Sequence, residues 1–226
     1  VLMAIGHSHI RSAVSVASVT HGPGLTNCVT ALIEGVRARR PVVVFVGDTP
    51  IENTQNLQNI DQREIVKATG AGFEQVRSPK KVSEDVANAF FRAKEEKRPI
   101  VLNMPADYMW REVDYYPIVH HTFNSPTTIE SGEIFEQAIG LIASAKRPLI
   151  LAGIGAVDAE DELVKLAERM DAVLATTLKA NGLFNDVHCN VGICGTLSTK
   201  AGYDAINAAD LIISFGASLS NFTTDR

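Results

Sequence analysis

The sequence predicts an α/β fold made of two doubly wound parallel-sheet domains. Along the whole chain, short apolar runs alternate with longer segments whose apolar residues recur at helical spacing, as in strand–helix–strand units. The run from Val42 to Val46 contains no polar residue, which is typical of a parallel strand covered on both faces. A second block with the same alternation begins at Ser131. We therefore expect two parallel sheets with right-handed crossovers.

The first block begins with a helix and a strand. Residues 1–11 are interpreted as the end of a helix, and the small and β-branched residues from Val14 to Val19 predict a buried strand. A Gly-Pro-Gly turn at residues 22–24 ends that strand. The apolar residues from Leu25 to Val36 then form one helical stripe, and a proline stops the helix before the strand at Val42.

The remainder of the first block is a polar loop followed by two helices and a strand. Residues 51–61 are rich in Asn and Gln without an apolar period, so a loop over the carboxyl edge of the sheet is expected. A short helix should end near Gly70, and Ser83 is the predicted cap of a longer helix. Residues 99–105 predict another buried strand, with Asp107 as a turn or cap residue.

A change in composition separates the two blocks. Residues 108–130 are aromatic-rich and aperiodic, which is typical of a linker, so the predicted domains are 1–107 and 131–226. The elements predicted in the second domain are a helix at 134–142, a strand at 149–152, a helix at 158–170, a strand at 173–176, a loop at 179–195 and a strand at 210–216.

Composition excludes several classes of function. The net charge of −5 disfavours nucleic acid or an anionic membrane as the main partner, and no apolar run approaches the roughly 20 residues that span a bilayer. Three cysteines do not suggest a disulfide framework, which favours the cytoplasm. No metal site is predicted, because the Cys189–Cys194 pair lacks a second ligand pair and the His7–His9 and His120–His121 pairs do not share a face.

The turn at residues 22–24 is the place where we expect chemistry. Ligands of open α/β sheets bind beyond the carboxyl ends of the strands, where helix N-termini offer free N–H groups. Gly22 and Gly24 would let the backbone approach a flat ring or an anion, and Pro23 would keep the loop stiff. The alternative is a tight connection without a ligand.

Several segments of the first block resemble one enzyme family. The segments Thr20-His-Gly-Pro-Gly-Leu-Thr-Asn27 and Pro41-Val-Val-Val-Phe-Val-Gly-Asp-Thr-Pro50 are similar to the pyrimidine-binding domain of thiamine-diphosphate enzymes, in the acetolactate synthase and benzoylformate decarboxylase branch. Residues 3–7, 61–71 and 98–107 fit the same pattern. The resemblance implies a 2-oxoacid decarboxylase or carboligase whose first domain is a partial pyrimidine-binding domain.

The resemblance also implies roles for individual residues. The wall around the cofactor's aminopyrimidine would consist of Gly22, Pro23, Gly24 and Asn27. His21 would meet the substrate as a catalytic residue, or it is a simple loop histidine. Gln58 would line an active site, often that of the neighbouring subunit of a homodimer or homotetramer, or it belongs to a solvated loop.

Parts of the family's machinery are expected outside this sequence. The resemblance places the catalytic glutamate about four residues before Val1, and it assigns the diphosphate and Mg²⁺ to a Gly-Asp-Gly segment that the 226 residues do not contain. A domain of this kind also needs strands before Val14. We therefore expect a piece of a longer protein that is inactive alone.

The second block resembles the partial, Rossmann-like central domain of the same family. Acetolactate synthases hold FAD there with an arginine and aspartates after a strand-end glycine, but here the segment 216–221 carries no charged residue, so FAD is not favoured. The Gly153-x-Gly155 turn lacks the third glycine of a dinucleotide fingerprint. The rival hypothesis is a non-catalytic module that binds ADP, coenzyme A or FAD at this turn and uses the first block for dimerisation.

Overall fold

The computed structural model describes residues 1–53, 55–118 and 132–225. The chain divides into two compact units, Val1–Asn124 and Ser125–Arg226. Each unit contains a sheet whose strand pairs are all parallel, with helices in the connections. The predicted fold class, two parallel-sheet α/β domains, is confirmed.

The first unit alternates helices and strands as the sequence predicted. Two 3₁₀ turns, Pro79–Lys81 and Ala106–Tyr108, accompany its regular elements. These elements are α1 (Leu2–Arg11), β1 (Ser15–Val19), α2 (Pro23–Thr26), α3 (Val29–Arg37), β2 (Val42–Asp48), α4 (Gln62–Thr69), β3 (Gly72–Gln75), α5 (Val82–Glu96) and β4 (Ile100–Pro105).

The sheet of the first unit has the strand order β1-β2-β4-β3, and β2 lies inside it. Alternate β2 residues face two separate apolar clusters. Val42, Val44 and Val46 pack with residues of α1, α3 and α4, whereas Val43 packs with alanines of α5. All four of these side chains are almost completely buried. The prediction of a parallel strand covered on both faces is therefore confirmed.

Two expectations for the start of this unit are wrong in detail. The predicted strand at 14–19 exists as β1, but it lies at the edge of the sheet, and half of the Val16 side chain is exposed. The predicted continuous helix is interrupted between α2 and α3. The N–H of Cys28 bonds the carbonyl of Leu25, three residues back, and the Cys28 thiol bonds the carbonyl of Gly24 instead, which tightens the chain at this point.

The second half of the first unit contains one missed strand and one misplaced cap. The strand β3 was not predicted, because its four residues include both Glu74 and Gln75 and present no apolar run. The helix α5 begins at Val82, directly after a 3₁₀ turn, so Ser83 lies inside the helix and does not cap it. Asp61 and Gly70 do bound α4, as N-cap and left-handed C-cap.

The second unit has the strand order β7-β6-β5-β8. Its 3₁₀ turns are Ile154–Ala159 and Leu178–Ala180. Its regular elements are α6 (Glu133–Ser144), β5 (Pro148–Ala152), α7 (Glu160–Met170), β6 (Val173–Thr176), β7 (Asn190–Ile193), α8 (Lys200–Ala208), β8 (Leu211–Phe215) and α9 (Asn221–Thr224).

The loop predicted at residues 179–195 is wrong in part, because it contains β7. This strand pairs with β6 through Leu174–Asn190 and Thr176–Ile193, with an irregular register between the two pairs. A glycine with positive φ lies inside it, so the sequence lacks the continuous apolar run that marks the other strands. The helix predicted from residue 158 begins at Glu160 instead, after a 3₁₀ turn.

The predicted linker at 108–130 lies mostly outside the described residues, and its boundaries stay predictions. Of its described part, the hydroxyl of Tyr116 donates to the carbonyl oxygen of Lys80 in the first unit. The pair His120–His121 also falls outside the described residues. Every helix that the structure describes is too short or too polar to cross a bilayer.

A charged cluster ties α5 to β3. The guanidinium of Arg92 donates to the Glu74 carboxylate at 2.7 Å and to the Glu96 carboxylate at 2.5 Å. Arg98 also donates to Glu96, at 2.6 Å. The hydrogen bond from Arg92 is the main cause that holds the pKa of the Glu96 carboxyl below its ordinary value of 4.5, against the opposing effect of burial.

This cluster predicts acid-sensitive stability. Because the pKa of Glu96 is lower in the folded chain than in the unfolded one, its stabilising contribution is complete above pH 4.5 and is lost as the pH falls through the lowered pKa. Glu96→Gln should lower the free energy of unfolding near neutral pH by at most about 1 kcal/mol, and should flatten its decline in acid. Urea unfolding over an acidic pH series measures both.

The matched control for this prediction is Glu64→Gln. The Glu64 carboxylate pairs with Lys67 on an exposed face of α4, so its loss should change the free energy of unfolding less. Equal acid dependence in the wild type and Glu96→Gln would contradict the assigned role.

Candidate functional site

The predicted turn lies where the carboxyl ends of β1, β2 and β4 meet. β1 ends opposite the end of β2, since Val19 is paired with Val46, and Asp48 at the end of β2 is paired with Pro105 at the end of β4. The turn leads from β1 into α2 at this edge. Its position is therefore the one at which open α/β sheets bind ligands.

Gly22 is held in a conformation that other residues avoid, with φ 60° and ψ −114°. A side chain at this position would begin 2.5 Å from the carbonyl oxygen of Gln58. The loop carrying Gln58 therefore lies directly against the turn. The structure thus brings together two segments to which the resemblance assigned site roles.

The turn has no spare N–H groups for an anion. The N–H of Gly22 donates to the side-chain oxygen of Gln62, and the N–H groups of Leu25 and Thr26 both donate to the carbonyl of Gly22. Those of Gly24 and Asn27 donate to carbonyls within the turn, and Pro23 has none. The expectation of free N–H groups here is wrong. Pro23 and Asn27 are exposed and Gly24 is half-buried, so these residues stay accessible at the surface of the turn.

His21 lies beside the end of β2. It is half-buried, and its Nδ1 is 3.5 Å from the hydroxyl of Thr20. A methyl group built on Gly47 would lie 3.6 Å from that same Nδ1 and 3.5 Å from the terminal carbon of Met109. The imidazole thus occupies the edge of the sheet next to the turn. Its catalytic role stays a prediction.

Gln62, which sequence reasoning missed, connects the turn to the sheet. Its side chain is 3% exposed. Besides accepting from Gly22 at 2.9 Å, it donates to the carbonyl of Gly47 at 2.9 Å and to the side-chain oxygen of Asn103 at 2.6 Å. Both N–H groups and the oxygen of this buried amide therefore have partners.

Asn103 continues the same network into the sheet. It is 1% exposed, and its amide nitrogen donates to the Asp48 carboxylate at 2.6 Å and to the Gln75 side-chain oxygen at 2.9 Å. These four side chains, Gln62, Asn103, Asp48 and Gln75, form what we call the amide network. The one available signal in the sequence was an asparagine inside the apolar strand β4, near its carboxyl end.

A cavity of about 440 Å³ lies next to the amide network. The guanidinium of Arg63 stands 4.6 Å over the Phe73 ring at its wall, and all four network side chains contribute to its lining. The sequence-predicted residues do not line this cavity. Gln62 contacts both the cavity and the turn.

In the second unit, the Gly153 turn is filled by the protein itself. A side chain at Gly153 would begin 2.3 Å from the carbonyl oxygen of Gly216, and one at Gly216 would begin 2.4 Å from the nitrogen of Ala156. The turns that follow β5 and β8 are therefore in direct backbone contact. This contact explains the glycines without a nucleotide, so it does not favour the rival hypothesis.

Over the described residues, no three His, Cys, Asp or Glu side chains are grouped so that they could hold a metal ion. The resemblance implied Mg²⁺ ligands outside this sequence. Where those ligands lie stays a prediction.

Family comparisons agree with this geometry. Residues 1–68 match the model "Thiamine pyrophosphate enzyme, N-terminal TPP binding domain", and residues 135–226 match "Thiamine pyrophosphate enzyme, central domain". The chain belongs to the thiamine pyrophosphate enzyme family. Its two units correspond to the first two domains of that family in the same order.

Individual relatives of this thiamine pyrophosphate enzyme chain carry two kinds of name. It is 32% identical to a sulfoacetaldehyde acetyltransferase of Alcaligenes xylosoxydans xylosoxydans, over 98% of this chain and 37% of the relative. It is 32% identical to a probable acetolactate synthase large subunit of Methanococcus aeolicus, over 97% of this chain and 38% of the relative. A Corynebacterium glutamicum acetolactate synthase large subunit is 28% identical, with 98% and 37% covered. The chain thus spans less than two fifths of the length of these relatives.

Substitution of Gly22 should destabilise the folded chain. Gly22→Ala places a methyl group against Gln58 in a region of φ and ψ that alanine avoids, so we expect the free energy of unfolding to fall by roughly 1–3 kcal/mol. Urea or thermal unfolding measures the change.

Gly6→Ala is the matched control, because no atom lies within 4 Å of the added methyl group and the residue is inside α1. It should raise the free energy of unfolding by about 0.5–1 kcal/mol. Similar effects of the two substitutions would contradict the tight approach of Gln58 to the turn.

Proposed function

We propose that this chain belongs to a thiamine-diphosphate-dependent 2-oxoacid decarboxylase or carboligase that resembles acetolactate synthase. The observation that carries the proposal is the assembly of the turn at 22–24 against the Gln58 loop, at the carboxyl edge of a parallel sheet. The family matches of both units support it.

The turn suits the flat part of the cofactor better than its charged part. Its N–H groups already donate to carbonyls of the turn or to Gln62, so they are not available to a diphosphate, whereas Pro23, Gly24 and Asn27 form an accessible surface for the aminopyrimidine. The thiazolium of the bound cofactor supplies the electron sink for the loss of CO₂ from a 2-oxoacid. In this proposal Gly22, Pro23, Gly24 and Asn27 hold and orient the aminopyrimidine ring.

His21 and Gln58 are proposed to face the substrate. His21 lies at the same edge as the turn, where its imidazole could bind the carboxylate or carbonyl of a 2-oxoacid. Gln58 lies against Gly22, so its side chain starts beside the proposed ring surface. Both residues would also help to exclude water from the reacting carbonyl, where a dry site favours decarboxylation.

We further propose a homo-oligomer with active sites between subunits, working in the cytoplasm. Leu57, next to Gln58, is an apolar residue whose side chain is fully exposed in this chain. Met3 on α1 is 89% exposed. Burial of such side chains against a second copy would remove apolar surface from water at the proposed site.

The substrate has two candidates. The acetolactate synthase relative at 32% identity favours a 2-oxoacid as donor and acceptor, whereas the sulfoacetaldehyde acetyltransferase relative, also at 32% identity, favours sulfoacetaldehyde. Assays of the full-length protein with pyruvate alone and with sulfoacetaldehyde, which follow the formation of acetolactate and the consumption of sulfoacetaldehyde separately, decide between them.

Calorimetry with thiamine diphosphate and Mg²⁺ tests the proposal itself. The full-length protein should bind the cofactor and convert one of the two substrates. The 226 residues alone should do neither, because the proposed catalytic glutamate and the proposed ligands of the diphosphate and Mg²⁺ lie in other segments. Absence of cofactor binding by the full-length protein would overturn the proposed function, and micromolar binding by the 226 residues would overturn their proposed inactivity.

His21→Ala separates the two interpretations of that residue. If His21 meets the substrate, kcat should fall by about 10²-fold with little change in the affinity for thiamine diphosphate. His9→Ala, on an exposed face of α1, is the control and should leave kcat unchanged. An unchanged kcat in His21→Ala would make it a simple loop histidine.

A further inference from the structure

We propose that Gln62 is a positioning residue that clamps the turn at 22–24 in the geometry that receives the cofactor. The inference rests on the proposed function for its consequence in catalysis. The clamp itself consists of hydrogen bonds within this chain, so it can be tested without the cofactor.

The turn is held from both sides by one short segment. The carbonyl oxygen of Gln58 closes one side of Gly22, and the side-chain oxygen of Gln62 accepts the Gly22 N–H at 2.9 Å. Gly22 and Gln62 are 40 positions apart in the sequence, so this bond sets where the turn lies relative to the rest of the sheet.

The direction of the Gln62 amide is fixed by its other two partners. Its nitrogen must face the carbonyl of Gly47 and the side-chain oxygen of Asn103, because both are acceptors. Asn103 cannot turn over, since its own nitrogen donates to Asp48 and to Gln75. The oxygen of Gln62 is thereby left facing Gly22.

Loss of this acceptor would leave the buried N–H of Gly22 without a partner. A buried N–H without an acceptor destabilises the folded state, so the turn would move to expose this group to water or to find another acceptor. Pro23 and Gly24 follow directly in the chain, so they would move with it. Because productive geometries are held to about half an ångström, a small shift would weaken cofactor binding and slow turnover.

Hydrogen exchange tests the clamp without any cofactor. In the full-length protein, Gln62→Met keeps the side chain's length and apolar stem but removes all three hydrogen bonds. Exchange of the Gly22 amide should become about tenfold faster relative to that of Val44 in β2, as read by mass spectrometry at single-residue resolution.

The matched control is Val66→Ala, on the same helix. Val66 is fully buried among apolar residues and takes no part in the amide network, so its truncation loosens the packing of α4 without removing an acceptor from Gly22. It should lower the melting temperature, as Gln62→Met does, but leave the relative exchange of Gly22 unchanged.

Calorimetry then tests the consequence for the proposed site. Gln62→Met should weaken thiamine diphosphate binding by about tenfold or more, whereas Val66→Ala should bind like the wild type. If Gln62→Met does not fold, Gln62→Asn is the second variant, because its amide is one methylene too short to reach Gly22 and Asn103 together.

The outcomes separate the two proposals. Unchanged exchange of Gly22 in the Gln62 variants, or equal acceleration in Val66→Ala, would overturn the clamp. Faster exchange with unchanged cofactor affinity would overturn its positioning role. Failure of the wild-type full-length protein to bind thiamine diphosphate would overturn the proposed function, while the exchange measurement would still decide whether Gln62 holds the turn.

Discussion

The hydrogen bonds of the buried Gln62 amide hold together the edge of the first unit that carries the proposed site. The amide joins the turn after β1, the end of β2 and the interior of β4 through three hydrogen bonds. A buried polar network is stabilising only when all of its members have partners, and here each donor and acceptor of Gln62 and Asn103 is used. The network therefore favours one arrangement of the three segments over others.

The two units use glycine at strand ends for different purposes. Gly22 adopts a conformation that other residues avoid and lies under a loop from elsewhere in the unit. Gly153 and Gly216 instead allow two turns of the second unit to touch through their backbones. Similar sequence signals thus accompany a proposed ligand surface in one unit and a closed contact in the other.

The features that the sequence predicted well are those encoded by neighbouring residues. Continuous apolar runs located β2 and β4, and the Gly-Pro-Gly turn located the edge that carries the proposed site. The strand β3 was missed because a short edge strand needs no apolar run, and Gln62 was missed because its partner is 40 residues away. Its polarity is typical of an exposed first turn of a helix, and only the tertiary fold buries it.

The backbone contact between Gly153 and Gly216 has a practical consequence for mutational scanning. Any side chain at either position must push apart the turns after β5 and β8, so both positions should tolerate substitution as poorly as a ligand-contacting glycine. In the second unit, positions that do not tolerate substitution would thus show where its own loops are in contact. A search for a nucleotide pocket that used these positions would select a region that the backbone already fills.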